Sequence, residues 1–198
     1  PLTVATHLMG VTEFLLELKL HPAETHRFLR ITTTLVRTWL EAQAEALRAV
    51  EGVLVLDDIA GFLSPQDYLE FAHPCLKEIF DAFPGAVKLF HNDTDNPASY
   101  RYLKDLGIHI FNFTHLQPLA KVRELVGPQV CLMGNVPPLE VLAQGSPQEV
   151  IRSARDCLES HRRSPGLILS AGGGTSPGTP AANIRALLQA CGRPEGTQ

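Results

Sequence analysis

Five short apolar runs that each stop on polar or glycine residues restrict this chain to a narrow set of folds. They are Val53-Leu54-Val55-Leu56 before Asp57-Asp58, Val87-Lys88-Leu89-Phe90 before His91-Asn92-Asp93, Ile108-His109-Ile110-Phe111 before Asn112, Val130-Cys131-Leu132-Met133 before Gly134-Asn135, and Leu167-Ile168-Leu169-Ser170 before a glycine run. Runs of this length, bounded by turn residues such as Pro84-Gly85 and Asn96-Pro97, read as buried strands. Pro1-Leu2-Thr3-Val4-Ala5-Thr6 reads as a further strand, which brings the count to about six strand and helix units.

Helical patterns separate the runs. Phe14, Leu15 and Leu18 share one face, and Phe28, Leu29, Ile31, Leu35, Val36, Trp39 and Leu40 recur at three-and-four spacing in a long helix expected from Pro22 to near Val50. Ser64-Pro65 sets an N-cap and a proline at the first helical position, and Pro74 is expected to kink or divide the helix that follows. Helices are also expected over 98–106, 119–126, 138–143, 147–161 and 180–190. Strand alternating with helix, and strands apolar on both faces, imply an α/β protein with a parallel sheet covered by helices. A closed (β/α)8 barrel takes eight strands and about 250 residues. The 198 residues therefore read as two units short of the TIM-barrel type over 1–191, followed by a disordered tail over 192–198: either the first two βα units are missing before Pro1, or the sheet is open.

Composition removes several function classes. A net charge of -4 supplies no broad basic field, which argues against nucleic acid or an anionic membrane as partner. No apolar run approaches the about 20 residues of a membrane span, so a cytoplasmic protein acting on a small molecule is the expectation. Cys75, Cys131, Cys157 and Cys191 show no paired spacing and read as buried or incidental thiols.

In a parallel βα sheet the working groups sit just past the C-terminal ends of the strands. That rule selects Asp58, His91 and Asp93 as catalytic candidates. It also selects His7, Asn112, His115, Asn135, Gly172, Gly173 and Gly174 as substrate contacts, the glycines because a backbone without side chains can approach a ligand closely. Asp57 points to the opposite side on strand periodicity and is assigned to structure. Adjacent carboxylates repel and usually share a cation, a proton or a ligand. The competing reading of His91 and Asp93 is a strand-end histidine bonded to a turn around Asp95-Asn96-Pro97.

Pro1-Leu2-Thr3, the Asp57-Asp58-x-Ala60-Gly61-x-Leu63-Ser64-Pro65 segment, Gly134-Asn135-Val136-Pro137-Pro138, and Leu169-Ser170-Ala171-Gly172-Gly173-Gly174 through Pro177-Gly178-Thr179-Pro180 together resemble the uroporphyrinogen decarboxylase superfamily. The resemblance follows the chain in order and corresponds to the C-terminal two-thirds of a family barrel. It implies either decarboxylation of a porphyrinogen or methyl transfer from methylcobalamin carried by a partner corrinoid protein.

In the decarboxylases a tyrosine, a serine and a histidine contact the tetrapyrrole. The matching positions here are His7, Asp58 and Gly173, all different, and the family's arginines and central aspartate would lie before Pro1. In the thiol-methylating branch zinc is held by a His-x-Cys pair and a later cysteine. Here the pair reads His91-Asn92-Asp93 and the later position is Gly173. Because zinc accepts a carboxylate in place of a thiolate, His91 and Asp93 are expected to form half of a metal site, with Asp57 or Asp58 completing it. The leading expectation is a corrinoid-dependent methyltransferase-like enzyme acting on a small acceptor, possible also as a homodimer. The rivals are a uroporphyrinogen decarboxylase and a non-catalytic ligand-binding barrel.

Overall fold

The structure is a computed structural model that describes residues 1–192, so that all but the first residue of the expected tail lie outside the described residues. Helices α1 (Leu2–Met9), α2 (Val11–Leu20) and α3 (Pro22–Ala46) precede strand β1 (Gly52–Leu56). A 3-10 turn over Asp58–Phe62 leads into α4 (Pro65–Asp67), a π turn (Tyr68–Ala72) and α5 (His73–Asp81). Then come β2 (Val87–Asn92), a 3-10 helix (Pro97–Leu106), β3 (Ile110–Phe113), α6 (Leu119–Val126) and β4 (Cys131–Val136). A π turn (Pro138–Ala143), α7 (Pro147–Ser160), β5 (Leu167–Ala171) and α8 (Ala181–Ala190) complete the described chain.

The five strands lie in sequential order and every neighbouring pair is parallel. Parallel crossovers are right-handed almost without exception, so a sheet whose order never reverses receives all its crossing helices on one face. This is the (β/α)-barrel type of α/β architecture, present here as five units. The burial pattern follows. Val53, Val55, Phe90, Phe111 and Leu132 are buried under the helices, whereas Leu54, Leu56 and Ile168 on the other face are exposed. Strands apolar on both faces are thus covered by helices on one face only, because the second face of a barrel strand turns inward rather than toward a helix.

Aromatic side chains lock the covered face. Phe90 and Phe111 stack at 6.0 Å, Phe111 and Phe113 at 5.6 Å, and Tyr100 meets Phe111 edge-on at 4.9 Å. Each such ring removed from water contributes on the order of 2 kcal/mol.

The segment expected as the first strand is instead helix α1, which corrects the count of six units to five strands. Thr3 and Val4 favour extended backbone locally, but Leu2 and Ala5 are fully buried and the helix is capped from a distance. The Asp57 carboxylate accepts from Leu2 N at 2.7 Å, Thr3 N at 3.1 Å and Thr3 Oγ1 at 3.0 Å. The two N–H groups are donors that a helix start leaves without partners. A tertiary contact 54 residues away therefore overrides a local preference.

Elsewhere the elements follow their punctuation. Ser64 caps α4 by accepting from Asp67 N, with Pro65 in the first turn, and the stretch ahead of Pro74 relaxes into a π turn before α5. Helix α3 ends at Ala46, four residues before the expected Val50, where Leu47 turns extended. All four cysteines are free: Cys157 is buried, Cys75 and Cys131 are partly buried, and Cys191 is exposed. Among the described residues no helix is long and apolar enough to cross a membrane.

Candidate functional site

Strand register assembles the site. Leu56, His91, Asn112, Met133 and Ile168 are successive partners across all five strands, so they form one row, which lies at the C-terminal ends of β1 and β2 and nearer the start of β5. Within that row His91 Nδ1 lies 2.6 Å from Asn112 Oδ1. Asn112 Nδ2 in turn donates to Met133 O at 2.8 Å and to Ala171 O at 3.3 Å. With its amide nitrogen committed to two carbonyls, Asn112 can offer His91 only an acceptor. His91 Nδ1 is therefore the donor, and in the neutral ring Nε2 carries a free lone pair.

That lone pair faces two carboxylates. His91 Nε2 is 3.7 Å from Asp58 Oδ1 and 3.9 Å from Asp93 Oδ2. Both gaps are too long for hydrogen bonds. One ligand atom from each of the three residues lies within 4.8 Å of the others. Tetrahedral zinc with bonds of about 2.1 Å sets its ligand atoms about 3.4 Å apart, so closing on one ion needs side-chain movement on the order of an ångström. The imidazole is only 12% exposed whereas Asp58 and Asp93 are each 44% exposed, which leaves the cluster open on one side.

The carboxylates are held by backbone stitching between the loops after β1 and β2. Asp58 Oδ1 accepts from Asp93 N at 3.1 Å, Thr94 Oγ1 donates to Asp58 O at 2.8 Å, and Asn92 Nδ2 donates to Asp57 O at 2.8 Å. Gly61 permits the approach, since a Cβ there would meet Thr94 Cβ at 2.6 Å. Gly173 does the same for Asp93: at φ +92°, a Cβ would lie 2.7 Å from Asp93 Oδ2. Desolvation raises the Asp58 carboxyl above its ordinary value; the Asp93 N–H opposes this, and the Asp93 charge reinforces it.

The other sequence-selected residues divide around this centre. Asn112 and Gly173 touch the trio directly. His115 stands beside Gly172, whose Cβ would fall 2.5 Å from His115 N, and its Nε2 is 4.0 Å from Glu140 Oε2. Asn135 is buried with both ends of its amide engaged, donating to Gln117 O at 2.9 Å and accepting from Cys157 Sγ at 3.7 Å. Gly174 is exposed with open space around it. His7 lies exposed in the last turn of α1 and forms no hydrogen bond or ion pair among the described residues. Of the two acidic neighbours, Asp58 joins His91 and Asp93, and Asp57 turns to α1 as its strand parity implies.

Sequence reasoning passed over Asn92, Thr94 and Glu140. Asn92 was visible only as the middle of His-x-Asp, yet its alternate parity on β2 already placed it on the side of Asp57. Nothing local marks Glu140, which reaches His115 from the turn after β4.

A parallel βα sheet that gathers an imidazole and two carboxylates past its strand ends has the construction of a (β/α)8-barrel active-site face. The particular family follows from comparison: residues 1–193 match the uroporphyrinogen decarboxylase (URO-D) family, and the chain belongs to it. A methylated-thiol–coenzyme M methyltransferase of Methanosarcina mazei is 25% identical over 191 residues, covering 96% of this chain and 50% of that protein. A uroporphyrinogen decarboxylase of Thermus thermophilus is 29% identical over 197 residues, covering 96% of this chain and 56% of its own length. The solved structure of a methyltransferase from Methanosarcina mazei superposes with a TM-score of 0.85 at 24% identity, over 96% of this chain and 55% of that one, which establishes the fold. The chain spans about half the length of these relatives.

Proposed function

We propose that this chain carries the acceptor-binding site of a corrinoid-dependent methyltransferase-like enzyme, in which Asp58, His91 and Asp93 bind a divalent cation, zinc first. The observation that carries the reading is the aim of His91. Asn112 fixes the ring so that its free nitrogen faces two carboxylates rather than a hydrogen-bond partner, the second-sphere arrangement common to metal-binding histidines. One imidazole and two carboxylates suit zinc and other borderline divalent ions.

Bound there, the metal would supply Lewis acidity toward the methyl acceptor. The chain's own residues do the rest. The Asp58 oxygen that does not bind the ion is positioned to take up the acceptor's proton, Asp93 has room because Gly173 carries no Cβ, and Gly172 to Gly174 let the ligand approach the backbone. A carboxylate at Asp93 favours a pterin-type acceptor, which needs no thiolate, over a thiol. The methyl group would arrive on a corrinoid held by a partner protein, as the similarity to a methyltransferase supports.

The test is methyl transfer from methylcobalamin to tetrahydrofolate by the purified protein, with metal content measured alongside. The expected result is about one zinc per chain and activity abolished by Asp93→Ala and Asp58→Ala. Metal-free protein whose transfer is indifferent to Asp93→Ala would sink the proposal. The 29% identity to a uroporphyrinogen decarboxylase supports one second reading, which anaerobic formation of coproporphyrinogen would establish in place of the first. Tight ligand binding without turnover in either assay would instead make this a binding barrel.

A further inference from the structure

His115 and Glu140 form a second polar pair on the rim, to which the carboxylate cluster makes no claim. His115 follows β3 and Glu140 sits in the π turn after β4, whereas Asp58, His91 and Asp93 stand at the ends of β1 and β2. Parallel strands lie about 4.8 Å apart, so roughly 10 Å of sheet separates the two groups. The glycine run gives a similar measure. A Cβ on Gly172 would lie 2.7 Å from His115 Cβ, and one on Gly173 would lie 3.0 Å from Asp93 Cβ. Consecutive Cα atoms are about 3.8 Å apart, which sets the roots of the His115 and Asp93 side chains within about 12 Å of each other.

Both members of the pair are fixed at the root and free at the tip. The His115 backbone is closed against Gly172, and the π turn that carries Glu140 is held by Asn183 of α8. That buried amide donates to the carbonyls of Leu142 at 2.9 Å and Gly145 at 2.8 Å. Single π turns of this kind are frequent at functional sites. At the tips, His115 Nε2 is 4.0 Å from Glu140 Oε2, too far for a hydrogen bond, and neither side chain has another partner among the described residues. Their sequence neighbours Leu116 and Leu139 are exposed by 58% and 48%, which adds apolar surface for the faces of a flat ring.

The chemistry of the tips selects the ring. A carboxylate accepts hydrogen bonds, and His115 Nε2 donates whenever it carries its proton. Side by side they suit an edge on which N–H groups adjoin a carbonyl: Glu140 takes the N–H groups and His115 the oxygen. The aminopyrimidinone edge of a pterin has that order. A small thiol has no such edge, and a substrate bearing many carboxylates would be repelled by Glu140.

We propose that His115 and Glu140 are the specificity residues for the acceptor, holding the aminopyrimidinone edge of a pterin while its far end lies at Asp58, His91 and Asp93. This rests on the acceptor-site reading above and requires neither the methyl donor nor turnover.

The test compares pterin with lumazine, which carries a carbonyl oxygen in place of the pterin amino group. Both rings fluoresce, and each is titrated against the purified protein in zinc-containing buffer. The wild type should bind pterin about tenfold more tightly than lumazine, because the oxygen would face the Glu140 carboxylate with no proton between them. Glu140→Gln offers an amide N–H to that oxygen and should abolish or reverse the preference. His115→Phe should weaken both rings about tenfold and keep the preference, since the carbonyl that His115 addresses is common to both.

Failure of the wild type to bind either ring at about millimolar concentration overturns the proposal, as does a preference that Glu140→Gln leaves unmoved. The two readings fail separately. Pterin bound with the expected preference but never methylated would remove methyl transfer and keep this subsite. Methylation of tetrahydrofolate alongside a preference indifferent to Glu140 would keep methyl transfer and remove the subsite.

Discussion

Each end of the sheet is tied by one charged side chain that spends itself on backbone, and the contrast with the charges left over defines the site. At the C-terminal end Asp57, wholly buried, accepts from Leu2 N, Thr3 N and Thr3 Oγ1. At the opposite end Arg123 of α6 donates to the carbonyls of Gly127 and Val130 at 2.6 Å each, and to those of Pro165 and Gly166 at 2.6 and 2.9 Å. It thereby gathers the approaches to β4 and β5. Both groups act as internal caps. Asp58, one residue beyond Asp57, has a single backbone donor and otherwise faces other ionisable groups. A charge saturated with peptide groups holds a fold together, and a charge left facing other charges is available for chemistry.

The sharpest way to break this contrast is to exchange the fates of the adjacent aspartates. Asp57→Ala should cost about 3 kcal/mol in urea unfolding, because it strands buried donors at the start of α1. Asp58→Asn should not lower the unfolding midpoint and should raise it slightly at neutral pH, since the fold disfavours the ionised form. Equal losses in the two variants would show that exposure and partner type do not separate structural from functional carboxylates. Arg123→Ala should cost about 2 kcal/mol, less than Asp57→Ala because water can reach the carbonyls it abandons.

Gly173→Ala should cost about 1–2 kcal/mol from its positive φ, and should weaken zinc binding, measured by calorimetry, by displacing Asp93. Unchanged zinc affinity would detach Gly173 from the site. The smallest effect belongs to Asp67. Partial burial acts to raise its carboxyl, but the hydrogen bonds from Lys19 and Ser64 prevail and hold it below its ordinary value. A lowered folded-state value stabilises the protein above the unfolded value and loses that benefit as pH falls through the folded one. Asp67→Asn should therefore reduce stability by less than about 1 kcal/mol at neutral pH, given how exposed Lys19 is. The difference should vanish once pH falls below the usual carboxylate range, as chemical unfolding at several pH values would show.

Much of this architecture can be read from residues because it depends on local punctuation. Ser64-Pro65 and Pro74 act within a turn of themselves, and strand parity alone separates Asp57 from Asp58. The trio was legible for the same reason: strands of a parallel sheet end together, so their terminal side chains meet. What escaped reading depends on distant partners. Helix α1 is helical because of a carboxylate on another element, and local preference at Thr3 and Val4 points the wrong way. Asn135 is expected as a ligand contact from its place at a strand end, and its amide is engaged by Gln117 and Cys157, which no spacing announces.

Asn112 answers to Met133 and Ala171 before it answers to His91, so the imidazole is tuned from two strands away. A slip of one residue between β3 and β4 would turn that amide from the mouth to the helices, and the histidine would lose its instruction. Such a misthreaded molecule could remain compact yet would lack the aimed imidazole on which the proposed site depends. The asparagine thus works as an assembly check: the ring is oriented only in a sheet whose later strands have arrived in step.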